Sequence, residues 1–206
     1  MIGSTEEAER SIWIIRHGDR LDFHDPDWAR TASRPYDPPL SDSGRRQAQM
    51  LALRLADARL VHLFSSPFLR CLETAAPIAE HAGIEIRIER GLCEWLNAEW
   101  FPEPPWLLPA SVSAQSFRRI DVTYRSRGLA CHGETGEQAL HRSGETARML
   151  AAEFGGNLAM VGHGASALGA LAGLLEVAPE SLSDLDYGEA VELVQERGRW
   201  IQAPRR

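Results

Sequence analysis

The sequence predicts an α/β protein of three layers, αβα: a mostly parallel sheet covered by helices on both faces, with an antiparallel edge. Three observations carry that expectation. Short apolar runs of the kind that form strands buried on both faces recur at Ile12–Ile15, Leu60–Phe64 and Leu158–Val161. Segments with apolar residues at helical spacing alternate with them, as in a sheet wound through helices. The last two apolar stretches, Ala190–Val194 and Arg199–Ile201, flank Gly198 and read as a closing hairpin. At 206 residues, with 44% hydrophobic and 25% charged content, the chain fits one globular domain over 1–206.

Taken in order, residues 1–10 are polar and acidic and read as a frayed tail. Ile12–Ile15 then runs straight into Arg16-His17-Gly18, with Arg20 just beyond. Residues 19–39 lack periodicity and hold Pro26, Pro35, Pro38 and Pro39, a loop long enough to be functional or disordered. Ser41 or Ser43 can cap a helix that carries Ala48, Leu51, Ala52 and Leu55 on one face. After the second strand, Pro67 suits the first position of a helix, whereas Pro77 should bend or restart it. Ile84, Ile86 and Ile88 alternate with charges as a third strand.

The segment from Trp95 to Pro109 holds Trp100, Phe101, Trp106 and four prolines, so it is neither a regular helix nor a central strand. It reads either as an aromatic-stapled surface loop or as a wall of a site, and residues 95–133 as a whole as a lid-like insertion. Within it, 110–133 is expected to cross the molecule in extended form. Helical spacing resumes at Ala139, Ala147, Leu150 and Phe154, with Gly155-Gly156 as the C-cap. A helical stripe, Leu168, Leu171, Ala172 and Leu175, follows Gly162-His163-Gly164.

A net charge of −7 argues against general nucleic-acid binding, which needs a basic face. All 22 basic residues are arginine, so an arginine counts only by its position. No apolar run approaches the roughly 20 residues that span a bilayer, and the N-terminus lacks the pattern of a secretory signal. Cys71, Cys93 and Cys131 are odd in number and unevenly spaced, which disfavours a disulfide framework and makes a reducing, cytoplasmic setting the expectation.

The chemistry-bearing motifs share one address. Arg16-His17-Gly18 follows the first strand, Ser65 to Arg70 the second and Gly162-His163-Gly164 the fourth. All three belong to the rim where open α/β sheets bind ligands. Two histidines beside glycines, with Arg16, Arg20 and Arg70, form a site for a tetrahedral anion, since guanidinium forks match phosphate oxygens and a neutral imidazole can attack phosphorus.

In this order the motifs resemble the histidine phosphatase superfamily, whose fold is that of the cofactor-dependent phosphoglycerate mutases. The ordered match runs through Arg16-His17-Gly18, Leu40-Ser41 with Gly44 and Gln47-Ala48, Ser65-Ser66-Pro67 with Arg70 and Thr74-Ala75, Glu94, and Gly162-His163-Gly164. Within the superfamily the chain is most similar to the suppressor of T-cell receptor signalling phosphatases and the insect ecdysteroid-phosphate phosphatases. The shared features are Arg20 with Leu21-Asp22, Arg70-Cys71, Gly91 to Trp95, the proline- and tryptophan-rich segment and Asp121 to Arg125, with Glu134 and Arg142 at a family-like spacing. Asp19 stands where the subgroup commonly has glutamate.

The resemblance implies a phosphoglycerate mutase-like fold and a phosphomonoester hydrolase without cofactor. His17 is the implied nucleophile, forming a phosphohistidine. Arg16, Arg20 and Arg70 are implied to bind the phosphate, His163 to stabilise the transferring group and Glu94 to act as general acid. Asp19, Glu99 and Glu103 remain competing carboxylates for that last role. Glu134 is expected to orient an arginine or the rim. The other five histidines show no ligand spacing for a metal, so metal-independent chemistry is expected. The expected substrate is a phosphorylated small molecule or a phosphotyrosine-like group with an aromatic or apolar leaving group, which the tryptophan-rich segment would suit. The alternatives are a phosphoglycerate mutase-type phosphoryl transferase and a non-catalytic phospho-ligand module. Assembly is open on the residues, although the resembling phosphatases are often homodimers.

Overall fold

The computed structural model describes residues 10–25 and 27–204. The tail expected at residues 1–10 lies outside them, apart from Arg10. Six strands, β1 (Ser11–Arg16), β2 (Leu60–Ser65), β3 (Ile86–Ile88), β4 (Asn157–Gly162), β5 (Ala190–Glu196) and β6 (Arg199–Gln202), form one sheet. Their order is β3-β2-β4-β1-β5-β6. The first four strands in the chain run parallel; β5 pairs antiparallel with β1, and β6 with β5. The helices are α1 (Trp28–Thr31), α2 (Asp42–Arg54), α3 (Leu69–Ala82), α4 (Ala110–Ser113), α5 (Gly136–Glu153) and α6 (Gly164–Leu175).

Alternation along β1 divides the core in two. Trp13 and Ile15 pack with Leu51 of α2, with Leu55 at its C-cap, and with Cys71, Leu72 and Ile78 of α3. Ile12 and Ile14 pack with Leu150 of α5 and with Ala167, Leu171 and Leu174 of α6. The sheet therefore lies between two helical layers, as the sequence predicts. Ile12, Ile14 and Ile15 are at most 1% exposed, and each such burial contributes about 1.5–3 kcal/mol.

Local expectations differ from the structure in four places. Helix α3 starts at Leu69, two residues after Pro67, because the Leu69 amide is capped by the Asp37 carboxylate from another loop at 2.7 Å. It then runs through Pro77 to Ala82 without restarting. The hydrogen bond that Pro77 cannot donate is outweighed by burial of Leu72, Ala75, Ile78 and Ala79 on the inner face. Helix α5 ends before Gly155, at an extended Phe154 whose ring packs on Phe64 with centroids 5.0 Å apart. Gly156 takes the left-handed conformation (φ 74°) in the turn that follows. The 110–133 crossing is only partly extended: it opens with α4, and Ile120 bridges to Ile86.

Helices α5 and α6 touch through glycines. A β-carbon on Gly173 would lie 2.6 Å from the Gly144 Cα, backbone against backbone. Gly173→Ala is expected to destabilise the fold by about 1–3 kcal/mol, the usual cost of overpacking, read as a lower urea midpoint. An unchanged midpoint would show that the two helices separate freely.

Register sets the functional rim. Arg16 pairs with Gly162 across β1 and β4, and Ser65 with Val161 across β2 and β4. His17, Ser66 and His163 are therefore each one residue past a strand end, with His17 level with His163 and Ser66 one residue short of them, level with Gly162. The chain leaves β1 toward the α2 face and β4 toward the α6 face, so a crevice opens between these neighbouring strands.

Candidate active site

His17 is buried, and its two nitrogens have different partners. Nδ1 lies 2.7 Å from the Gly18 carbonyl and Nε2 3.1 Å from Nε of Arg70. A carbonyl only accepts and a guanidinium only donates, so the proton sits on Nδ1 and Nε2 carries a lone pair. Burial, followed by the charge of Arg70, holds the ring well below the usual histidine range and keeps it neutral. The local backbone is tight: a β-carbon on Gly18 would lie 2.7 Å from the Gly44 carbonyl. That contact, with Ser41 as the cap of α2 through the Gly44 amide, explains why Gly18 and Gly44 face each other.

Arg70 joins the cluster. It is 1% exposed and stacks over Phe68, 4.4 Å from the ring centroid. Its Nη2 is 3.1 Å from His163 Nδ1 and 3.6 Å from Glu94 Oε2, while Nη1 is buried with no partner. His163 is fully buried beside Ser66 Oγ at 2.8 Å, and burial, then Arg70, pushes its pKa well below the usual range. Glu94 is nearly buried, with Oε1 accepting from the Trp95 amide at 3.0 Å and Oε2 3.4 Å from His163 Nδ1. His17, Arg70, Glu94 and His163 thus meet directly. Of the competing carboxylates, Asp19 turns away to accept from Ser41, Ser43 and His24, and Glu99 and Glu103 are exposed.

Arg16 and Arg20 border this cluster. Arg16 donates to the Leu185 carbonyl at 2.6 Å and lies over the Tyr187 ring, 4.0 Å from its centroid. Arg20 is held by Asp22 at 3.0 and 2.6 Å and lies over Phe23 at 4.6 Å. Its charge nonetheless reaches His17, Arg70 and His163. His17, Glu94 and His163 place donor atoms within 4.8 Å of one another, a spacing a metal ion can use. The buried Arg70 guanidinium already points at all three, and its fixed positive charge makes the cluster a site for an anion.

The supporting residues are less visible in sequence. Arg142 of α5 forks onto Glu134 at 3.0 and 2.6 Å and donates to the carbonyls of Gly91 and Glu94 at 2.7 and 3.2 Å. It thereby fixes the turn that presents Glu94. Glu134 orients an arginine, as expected. Glu89 is fully buried and gathers the amides of Gly91, Arg127 and Gly128 with the Tyr124 hydroxyl. Asp37, Glu89 and Tyr187 escape sequence reasoning, because nothing in their spacing links them to partners across the fold. Ser66 stood inside a motif without a role. Phe101 anchors the tryptophan-rich segment against Phe68, with centroids 6.2 Å apart, and Phe68 in turn borders His163 at 4.9 Å.

Two neutral buried imidazoles make stability depend on pH. Their folded pKa values lie below the ordinary one, so the unfolded chain binds more protons once the pH falls through about 6.5. This contribution is full above that pH and is lost below it, at up to about 1.4 kcal/mol per pH unit for each ring. Between about pH 7 and pH 5 the urea midpoint of His17→Asn is therefore expected to fall less steeply than that of the wild type. Parallel slopes would show that His17 takes up its proton equally in the folded and unfolded states.

Comparison with known proteins fits this geometry. The ecdysteroid-phosphate phosphatase of Drosophila melanogaster is 26% identical over 201 residues, covering 79% of this chain and 26% of that protein. Human ubiquitin-associated and SH3 domain-containing protein A is 30% identical over 151 residues, covering 57% of this chain and 23% of that protein. The chain thus spans about a quarter of the length of these two relatives. Among solved structures, the ecdysone phosphate phosphatase of Bombyx mori in complex with tungstate superposes with a TM-score of 0.78 at 20% identity, covering 95% of this chain and 92% of that one. The profile of the histidine phosphatase superfamily (branch 1) matches residues 12–203, and this chain belongs to that superfamily.

Proposed function

We propose that the protein is a metal-independent phosphomonoester hydrolase that works through a phosphohistidine on Nε2 of His17. The observation that carries this reading is the His17 ring, held neutral with its Nδ1 proton donated to the Gly18 carbonyl and its lone pair on the face shared by Arg70, His163 and Glu94. Phosphoryl transfer needs positioning and neutralisation of the charge on the equatorial oxygens, and a buried guanidinium supplies both. The incoming phosphate takes up Arg70, including the unpartnered Nη1, with Arg16 and Arg20 closing from the border. Nε2 then forms the bond to phosphorus as the ester oxygen leaves. Glu94 gives that oxygen its proton, then takes one from the water that cleaves the phosphohistidine.

Phe23 and Tyr187, with ring centroids 6.0 Å apart, flank Arg20 and Arg16 at the mouth and support an aromatic or apolar leaving group. The ecdysteroid-phosphate phosphatase relative carries a name of the same kind. In this reading residues 95–133 act as a lid, and the protein works in the cytoplasm as a homodimer, which light scattering checks. No helix among the described residues is long and apolar enough to cross a membrane. The deciding assay is hydrolysis of p-nitrophenyl phosphate with excess chelator. Undiminished turnover is expected, and turnover that returns only with a divalent metal would overturn the mechanism.

A further inference from the structure

The two ring nitrogens of His163 face different neighbours. Nδ1 faces Arg70 Nη2 at 3.1 Å and Glu94 Oε2 at 3.4 Å. Nε2 faces Ser66 Oγ at 2.8 Å and Cys71 Sγ at 3.5 Å. A guanidinium has no lone pair to offer, so the shorter contact requires Nδ1 to accept. The single proton of the neutral ring then sits on Nε2, and the hydroxyl of the fully buried Ser66 is the strong acceptor in reach. That hydroxyl has its own hydrogen to place, and it interacts with the thiols of Cys71 and Cys93. Both thiols are buried and held protonated, the Cys93 thiol being pushed up to about 12, so they serve as weak partners rather than nucleophiles.

We propose that Ser66 is the positioning residue that holds the His163 proton on Nε2 in the empty site. It keeps that proton there when a phosphoryl dianion binds and the ring takes a second proton on Nδ1. The second half rests on the phosphate-site reading above. The three unprotonated oxygens of a phosphoryl dianion only accept, and a bare Nδ1 facing them would repel them. The added proton comes from solution, one per anion bound, and the imidazolium is stabilised by the anion on one side and by Ser66 on the other. The charged and titratable groups around the ring are Arg70, Glu94, His17 and Cys71, with Arg20 and Arg142 further out. This arrangement gives a use to the Ser66, Cys71 and Cys93 side chains, which the transfer step does not touch.

Nitrogen-15 spectroscopy of the histidine rings in the full chain tests the proposal directly. In the free wild type, His163 is expected to show a protonated Nε2 and a bare Nδ1. Saturating inorganic phosphate should convert Nδ1 to the protonated type and leave Nε2 unchanged, and calorimetry in buffers of different ionisation enthalpy should report uptake of one proton. Ser66→Ala should lose the Nε2 preference and lower turnover by about 10–100-fold, the usual cost of removing the partner that orients a histidine. Ser66→Thr, which keeps the hydroxyl, should recover both. A free wild-type spectrum with the proton on Nδ1, shared with Glu94, would overturn the proposal, and that spectrum needs no variant to fold. Absence of any phosphate-induced change would overturn the phosphate-site reading and the proton uptake together, while the free-state spectrum still decides the role of Ser66.

Discussion

Replacing His17 by alanine is expected to lower kcat/KM on p-nitrophenyl phosphate by roughly 10⁴–10⁶-fold, the range seen when the nucleophile of a covalent mechanism is removed. The size follows from what His17 alone provides. The nitrogens of His163 are placed differently, since Nδ1 also faces Glu94 Oε2 and is the one that takes up a proton when the dianion binds, and Nε2 carries the proton directed at Ser66. Phosphate binding should survive, because Arg70 keeps its charge and gains a free Nε when the ring that accepts from it is gone. The dissociation constant of inorganic phosphate is accordingly expected to stay within about tenfold, a change of about 1.4 kcal/mol. Acid-labile, base-stable phosphoprotein should be trapped from the wild type and absent from the variant. Retention of more than a small fraction of the activity would mean that water attacks the ester directly, with His17 as a base.

The strands, both helical layers and the closing hairpin were legible because burial writes a period into the sequence. The convergence of His17, Arg70, Glu94 and His163 was legible for a different reason. Three of them follow strands that end on one rim, and the register of β1, β2 and β4 makes neighbours of residues far apart in the chain. Contacts between irregular segments were not legible. Asp37 caps α3 across a gap of 32 residues, which displaces the helix start from Pro67 to Leu69. Glu89 looks like one more charge after an alternating strand, yet it is fully buried by amides from residues 91, 127 and 128. Arg20 is the instructive intermediate. Its position close after His17 was readable, but not that Asp22 and Phe23 hold its guanidinium.

Glu94→Gln is expected to lower kcat by about 10²–10⁴-fold on alkyl phosphates, the usual contribution of a positioned acid. Glutamine keeps the size of the side chain and the acceptor for the Trp95 amide, so the turn held by Arg142 should stand. What is lost is a carboxyl group that gives a proton in the first step and takes one in the second. An alkoxide leaves badly without one, so alkyl substrates stall before His17 is phosphorylated. A p-nitrophenolate leaves unaided, so with that substrate the first step survives and the second fails for want of a base to activate water. The variant should therefore release one equivalent of p-nitrophenol in a burst and then turn over slowly, with phosphohistidine accumulating. Glu99→Gln and Glu103→Gln, on exposed carboxylates, should leave kcat within about twofold, as surface changes away from the cluster usually do. A burst in either of these, with none in Glu94→Gln, would move the acid from the turn held by Arg142 to the tryptophan-rich segment.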